Sequence, residues 1–512
     1  MAMDMEQVAA ALCLCIFLAL TLLLHNRNKN KQSGNNGGGR LPPSPWRLPV
    51  IGNLHQVMTT RSPLVHRTMA DLARRLDAPL MHLQLGEVPV IVASSAAAAR
   101  EVLNFAARPR SAAARALRCD GEGAVFLPYG ATWRQLRRVC VVELLGARRV
   151  RSFRPVREEE ARRLVAATAG EEAAVVNVSE RIAAAVADAT VRVMVGERFE
   201  RREELMKELG ETVKVLAGFS LDDLFPSWRL AGVLGGMTRP AEANHRNTYE
   251  LMDCAFRQHQ ERKASIDSSV TKEEDILDVL LRMQKEGGLE VPLTTGNIKA
   301  IILDLFSAGT ETSANTLQWA MAELMRNPQV MKKAQAEIRS NLAGKPSVTE
   351  DDLPGLYYLK LVIKETLRLH PVSPLLVPRE CRQTCSVMGY DVPKGTTALV
   401  NVWMINRDPE YWEDAKTFKP ERFETCAVDF RGNDFEFIPF GAGRRICPGI
   451  AFAMANMEIV LASLLYHFDW ELPDGVSPSE LDMTEEMGLS VRRKKDLYLR
   501  PTLREPLQAN EK

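Results

Sequence analysis

The apolar positions divide this chain into an apolar head, a polar tether and a long, mostly helical body. Val8 to Leu24 contains no charged residue. At about 1.5 Å of rise per residue, a helix of that length is near the short end of what crosses a bilayer core. Residues 1–25 are therefore expected to form a transmembrane anchor. Asp4 and Glu6 precede the apolar run, and Arg27, Lys29, Lys31 and Arg40 follow it, which places the body on the cytosolic side. A cleavable signal peptide needs a basic start and a small-residue cleavage site, and neither is clear here. Residues 26–52 are expected to be a tether and hinge. The Asn- and Gly-rich stretch up to Arg40 is flexible, whereas Pro42, Pro43, Pro45 and Pro49 fix φ and stiffen the second half of the segment.

Residues 53–512 read as the globular body. Helical patterning dominates from about Ser62. Leu80 to Ser94 and Val387 to Trp403, rich in Val and broken by Gly and Pro, read as strands. The Ala/Arg/Glu-rich run from Arg148 to Ala187 reads as a pair of surface helices. Asn297 to Asn327 reads as one long helix, and Ile450 to Tyr466 as an apolar one. The expected fold class is mainly α with a small β region. No internal repeat is evident.

Charge and cysteine content narrow the function classes. The 66 basic and 65 acidic residues nearly balance, so nothing points to nucleic acid, whose binding needs concentrated positive charge. The nine cysteines are odd in number and lack a framework spacing, which implies reduced thiols. Cys381 and Cys385 are close enough in sequence to suggest a metal pair, but no second Cys/His pair completes a tetrahedral zinc site.

The strongest local signal is Phe440-Gly441-Ala442-Gly443-Arg444-Arg445-Ile446-Cys447-Pro448-Gly449. Glycines let a backbone turn sharply and pass close to a flat ligand. Cys447 stands just before the apolar helix, whose N-terminal dipole favours a thiolate, and a thiolate held this way is a good iron ligand. Arg445 is near enough to meet an anionic group at the ligand's rim. On the long helix, Ala308, Gly309 and Thr312 share one face. The small residues leave space there, and Thr312 adds a hydroxyl. Glu311 is a candidate proton relay. Glu365 and Arg368 lie three apart and can pair. Trp133 and Arg137 share a helix face. Arg134 and Arg138 point elsewhere and, with Arg148, Arg149 and Arg151, are expected to form a basic docking patch.

These motifs, in this order, resemble the cytochrome P450 family over almost the whole chain, and its plant microsomal group in particular. Pro420-Glu421-Arg422-Phe423 and Ala308-Gly309-Thr310-Glu311-Thr312-Ser313 are typical spellings of that group. The resemblance implies a cytochrome P450 fold behind the anchor, and haem b with Cys447 as axial iron ligand. It implies Phe440, Gly443, Arg445 and Gly449 around that ligand, Ala308 and Gly309 beside the haem, and Trp133, Arg137 and Arg379 at its propionates. It also implies a buried structural network of Glu365, Arg368 and Arg422. The implied reaction is a monooxygenation with Thr312 and Glu311 as catalytic residues. Electrons come from NADPH through a membrane-bound reductase, and the enzyme is expected on the endoplasmic reticulum, facing the cytosol.

Two rivals are weaker. A haem-thiolate isomerase or dehydratase tends to lose the threonine that Thr312 supplies. A non-catalytic haem carrier has no need of both Thr312 and a docking face. The segment Leu103 to Pro109 is shorter than the family pattern, which bears on substrate shape. Substrate contacts are expected from Ala112–Gly123, Leu216–Leu224, Leu303–Glu311, Val372–Val377 and Glu486–Val491. Aliphatic Leu303, Val372, Leu375 and Leu489 point to an apolar substrate, with a terpenoid as the leading guess.

Overall fold

The computed structural model describes residues 40–58, 64–109, 123–171, 174–217, 221–228, 238–265, 273–488 and 490–505. The expected anchor and most of the tether lie outside them, as do Leu489 and nearly all of Ala112–Gly123. The helices that position the site are α1 (Ala131–Arg138), α2 (Arg154–Ala169), α3 (Val178–Val195), α4 (Thr238–Ser265), α5 (Thr295–Arg326), α6 (Tyr357–Leu369) and α7 (Ile450–His467).

The long helix α5 begins at a capping box. The Thr294 hydroxyl accepts the Asn297 N–H at 3.1 Å, and the Asn297 side-chain oxygen accepts the Thr294 N–H at 3.2 Å, satisfying two amide donors that the first turn leaves unpaired. It ends before Pro328, because a proline disfavours helical geometry in the residue that precedes it. Ile182 and Val186 of α3, Leu317 and Met321 of α5, Val362 of α6, and Ile459 and Leu461 of α7 share one buried cluster. Among the described residues, α7 alone is long and apolar enough to cross a membrane, and it is mostly buried within the protein. It is a core helix.

The small β region is split more finely than the sequence pattern predicts. Leu80–Ser94 is a hairpin of β1 (Leu80–Leu85) and β2 (Val88–Ala93), paired antiparallel with Leu85 opposite Val88. The turn between them uses Gly86 at φ 62°, where an added Cβ would come within 2.4 Å of the Leu224 carbonyl oxygen. The second stretch starts earlier than expected. It comprises β3 (Arg379–Glu380), β4 (Cys385–Val387), β5 (Tyr390–Val392) and β6 (Thr397–Val400), and from Val402 it turns helical. Strand β6 runs parallel to β2 and antiparallel to β3, giving the order β1-β2-β6-β3. A further hairpin, β7 (Glu485–Met487) and β8 (Val491–Arg493), approaches α5.

The expected pair of surface helices over Arg148–Ala187 is corrected. The run holds a short helix at Ala147–Ser152, then α2, then the first half of α3, and α3 is an interior helix packed along α5. Charges in this run misled the pattern because several are buried in pairs. Arg157 is 1% exposed and bonds Glu350 at 3.0 Å, while buried Glu160 accepts from Arg192 and Arg198.

Candidate active site

A cavity of about 390 Å³ opens between α5 and the loop before α7. Of the residues singled out in the sequence, Trp133, Arg137, Leu303, Ala308, Gly309, Glu311, Thr312, Val372, Arg379, Phe440, Arg445, Cys447 and Gly449 all line it. Gly443 does not. It stands behind the lining at φ 68°, where a Cβ would approach the Leu103 carbonyl oxygen to 2.7 Å, so only glycine fits. Leu375 is also corrected: it packs with Met81, Leu83, Val90 and Leu399 in the core behind the β1–β2 hairpin.

The cysteine loop is closed by its own backbone, the Cys447 N–H donating to the Phe440 carbonyl at 3.0 Å. Burial pushes the Cys447 thiol up, with the Gly449 N–H and Arg137 pulling the other way. Burial thus works against the helix N-terminus, whose dipole favours the thiolate. A cation bound at the sulfur would favour the thiolate at such a position.

Arg137, Arg379 and Arg445 are joined on the cavity lining by Arg108, which the sequence pattern alone did not single out. Arg108 lies in the short Leu103–Pro109 segment, where it follows Phe105-Ala106-Ala107 and precedes a proline. Among the described residues no carboxylate pairs with any of the four. Arg379 donates to the carbonyls of Phe105 at 2.9 Å and Ala442 at 2.8 Å. Arg445 donates to Ala106 at 2.8 Å and Leu127 at 2.7 Å, and stacks 3.9 Å from the Trp133 ring centroid. Arg108 donates to Pro378 at 2.8 Å, and Arg137 to Ile446. Burial holds all four below the usual arginine range, and mutual repulsion adds to this for Arg108 and Arg445. Cations held in the interior with carbonyls but no described carboxylate as hydrogen-bond partners fit an anionic ligand, as the carboxylates of a haem would be.

On α5, the Thr312 hydroxyl donates to the Ala308 carbonyl at 2.7 Å, the back-bond open to a mid-helix threonine. Glu311 accepts from the Ser490 hydroxyl, and Asn315 Nδ2 donates to Ser490 at 3.4 Å. Burial raises the Glu311 carboxyl, opposed by Ser490 and Arg492. Asp304 is a second carboxyl on this lining that the sequence pattern did not single out, although a lone acid one turn before Ala308 was the available signal. It accepts the Val125 N–H at 3.0 Å, and enclosure pushes it up to about 6.

Beneath the loop, Glu365 and Arg368 are fully buried and joined by two 2.8 Å bonds, and Arg422 Nε reaches Glu365 at 3.0 Å. Arg368 stacks 5.4 Å from the Trp412 ring, whose indole N–H donates to the Glu436 carbonyl at 3.3 Å. The network thus reaches the segment that leads into Phe440. On the surface, Arg134, Arg138, Arg148 and Arg151 are exposed. Arg149 is not part of that patch, because it is half-buried against Glu274 at 3.3 Å.

Comparison with known proteins agrees with this geometry. The cytochrome P450 family model matches residues 42–500. The chain is 46% identical to premnaspirodiene oxygenase of Hyoscyamus muticus, over 93% of this chain and 95% of that one. It is 49% identical to ent-isokaurene C2/C3-hydroxylase of Oryza sativa subsp. japonica, over 88% and 90%, and 45% identical to salviol synthase of Salvia pomifera, over 91% and 92%. A zebra fish cytochrome P450 structure with progesterone superposes with a TM-score of 0.73 at 25% identity, covering 85% of this chain and 99% of that one. A half-buried cysteine in a glycine-shaped loop, four arginines around one cavity that no described carboxylate pairs, and a family match over most of the length lead to one assignment: the chain belongs to the cytochrome P450 family and is a monooxygenase.

Proposed function

We propose that the cavity holds haem b with Cys447 as the axial iron ligand, and that the enzyme hydroxylates an apolar terpenoid in plant specialised metabolism. The observation that carries the reading is the half-buried Cys447 sharing one cavity with Thr312 and four arginines that no described carboxylate pairs. In this reading Arg137, Arg379 and Arg445, with Trp133 and Arg108, hold the propionates. Phe440, Gly443 and Gly449 shape the loop, and Ala308 and Gly309 leave room on the α5 side. The group supplies the oxygen activation when bound.

The chain's own residues then manage protons and substrate. Thr312 presents its hydroxyl to the cavity while anchored to Ala308. Glu311 holds a proton to higher pH than an ordinary glutamate and passes it inward, positioned by Ser490. Leu303 and Val372 contribute apolar wall. Leu375 and Leu489 do not enter this assignment, the first because it packs in the core and the second because it lies outside the described residues. The activities for which the premnaspirodiene and ent-isokaurene relatives are named support a terpenoid substrate.

The reading includes a membrane anchor at 1–25, a hinge at 26–52 and the catalytic domain from 53 to 512, on the cytosolic face of the endoplasmic reticulum. The hinge fastens to the body, since Asp391 N donates to the Arg40 carbonyl at 2.8 Å and His82 N to Pro43 at 2.8 Å. NADPH electrons arrive through a reductase docked on Arg134, Arg138, Arg148 and Arg151. The test is the carbon monoxide difference spectrum of the reduced full-length protein in microsomes, followed by turnover of a terpenoid panel with a plant reductase. A strongly red-shifted Soret band is expected. A band at the position of histidine-ligated haem in well-folded protein overturns the Cys447 assignment, and turnover confined to strongly anionic or sugar-bearing compounds overturns the substrate class.

A further inference from the structure

The thiols of Cys381 and Cys385 are unused by any of this chemistry. Their sulfurs lie 3.6 Å apart on the link between β3 and β4. Zinc is not the explanation, because no His, Asp or Glu among the described residues joins them in a ligand cluster. The backbone around them is fixed. Cys381 N donates to Thr396 at 2.9 Å and Gly395 N to Cys381 at 2.8 Å, while Cys385 pairs with Val392 across the β4–β5 hairpin. Cys381 Sγ also contacts the carbonyl of Val392, the strand partner of Cys385, at 3.8 Å. Cys381 is 1% exposed, whereas Cys385 is half-buried. Both border a second cavity of about 360 Å³, separate from the first and lined also by Phe105, Arg382 and Arg444.

We propose that Cys381 and Cys385 are a reversible oxidation site that closes to an intramolecular disulfide when a peroxide enters this second cavity. The sulfurs need to approach by only about 1.5 Å to reach bonding distance. Burial and the neighbouring thiol push Cys381 up to about 12, so the more accessible Cys385 is attacked first. Its thiolate takes one peroxide oxygen, the O–O bond breaks, and the other oxygen leaves as water after gaining a proton. The Cys381 sulfur then attacks the Cys385 sulfenic acid. The S–S bond forms, the S–O bond breaks, and the hydroxyl leaves as water with the Cys381 proton. The peroxide gains two electrons, one from each thiol, and a dithiol reductant returns the pair to its starting state.

Trypsin makes the test direct, because cleavage after Arg379, Arg382 and Lys394 puts the two cysteines on separate peptides, Glu380–Arg382 and Gln383–Lys394. Haem-loaded full-length protein in microsomes is titrated with hydrogen peroxide, its free thiols are alkylated, and it is digested without reductant. The expected result is the two peptides joined and lighter by two hydrogens. Both alkylated forms should be lost in one-to-one proportion, with recovery after dithiothreitol. Cys385→Ser should leave Cys381 alkylated throughout, and Cys381→Ser should stop Cys385 at the sulfenic or sulfinic acid. Two outcomes overturn the proposal: independent loss of the two alkylated peptides with no joined species in the wild type, or oxidation of Cys385 no faster than of Cys254. The wild-type digest decides even if a serine variant fails to fold.

Discussion

Glu365→Gln is the most exacting test of the network beneath the cysteine loop, because it changes charge and hydrogen-bond polarity while conserving shape. Glu365 is 0% exposed. Its Oε1 accepts from Arg368 Nη2 at 2.8 Å, Arg422 Nε at 3.0 Å and the Lys419 N–H at 2.9 Å, and its Oε2 accepts from Arg368 Nε at 2.8 Å. A glutamine satisfies one side and turns an N–H towards an arginine N–H on the other, leaving Arg368 buried without a counter-charge. Breaking one partner out of such a pair costs about 3–5 kcal/mol, a large share of the roughly 5–15 kcal/mol that holds a domain together. Arg422→Lys keeps the charge and loses bonds to Glu413 at 2.6 Å and Thr417 at 3.2 Å, near the protein's surface, so about 1–2 kcal/mol is expected. The assay is denaturant unfolding of the full chain, with haem retention read as carbon monoxide difference amplitude per mole of protein. The expected order of damage is Glu365→Gln well above Arg422→Lys. If Glu365→Gln unfolds within about 1 kcal/mol of wild type and keeps its haem, the view that a desolvated charge pair braces the loop is wrong.

Thr312→Ala should leave the carbon monoxide spectrum unchanged and lower product per NADPH by about 10²-fold, the lower end of what a positioned proton donor contributes; product and NADPH assayed together check it. Because burial raises Glu311, its proton is held to higher pH, so turnover should fall as pH rises through that raised pKa, and the same limb should be missing from the pH profile of Glu311→Gln. By linkage, this raised carboxyl favours the folded state at low pH, an influence lost as pH rises. Arg134→Glu with Arg138→Glu should raise the KM for reductase and flatten its salt dependence. Arg149→Glu should instead lower stability, by no more than about 1 kcal/mol, since its partner Glu274 is partly exposed; reductase titration and unfolding separate the two.

Local spacing carried what was legible in the sequence. The cysteine loop, the Ala308–Thr312 turn and the Glu365/Arg368 pair are each set within ten residues, so their geometry follows from glycine conformation and helix periodicity. The same holds for the capping box of α5 and the apolar length of α7, which lie in the chain itself. What escaped depended on partners far away in sequence. Leu375 has the aliphatic character of a pocket residue, but its side chain turns to Met81 and Leu399, a choice made by the β1–β2 hairpin. Arg157 and Glu160 look like surface charges until Glu350, Arg192 and Arg198 arrive from other segments. Asp304 carried the mark of a lone charge in an apolar stretch, Arg108 did not, and only the assembled cavity shows that they share it.

The charges around that cavity explain why haem and fold should be inseparable in this protein. Burial disfavours the charged forms of Cys447 and of the four arginines, and repulsion among the arginines compounds it for Arg108 and Arg445. Arg137 offsets the burial of Cys447 only in part, and Arg379 and Arg445 are already turned towards the carbonyls of Phe105, Ala106, Leu127 and Ala442. On the proposed assignment, a ligand that brings a cationic iron to Cys447 and carboxylates to the arginines would answer both deficits at once. Its binding free energy then appears as folding stability. On the proposed assignment, removing one of the four arginines lessens the repulsion on the rest as well as one contact to the ligand, so Arg445→Ala should weaken haem retention less than Cys447→Ala, which leaves all four arginines in place and removes the proposed ligand to the metal.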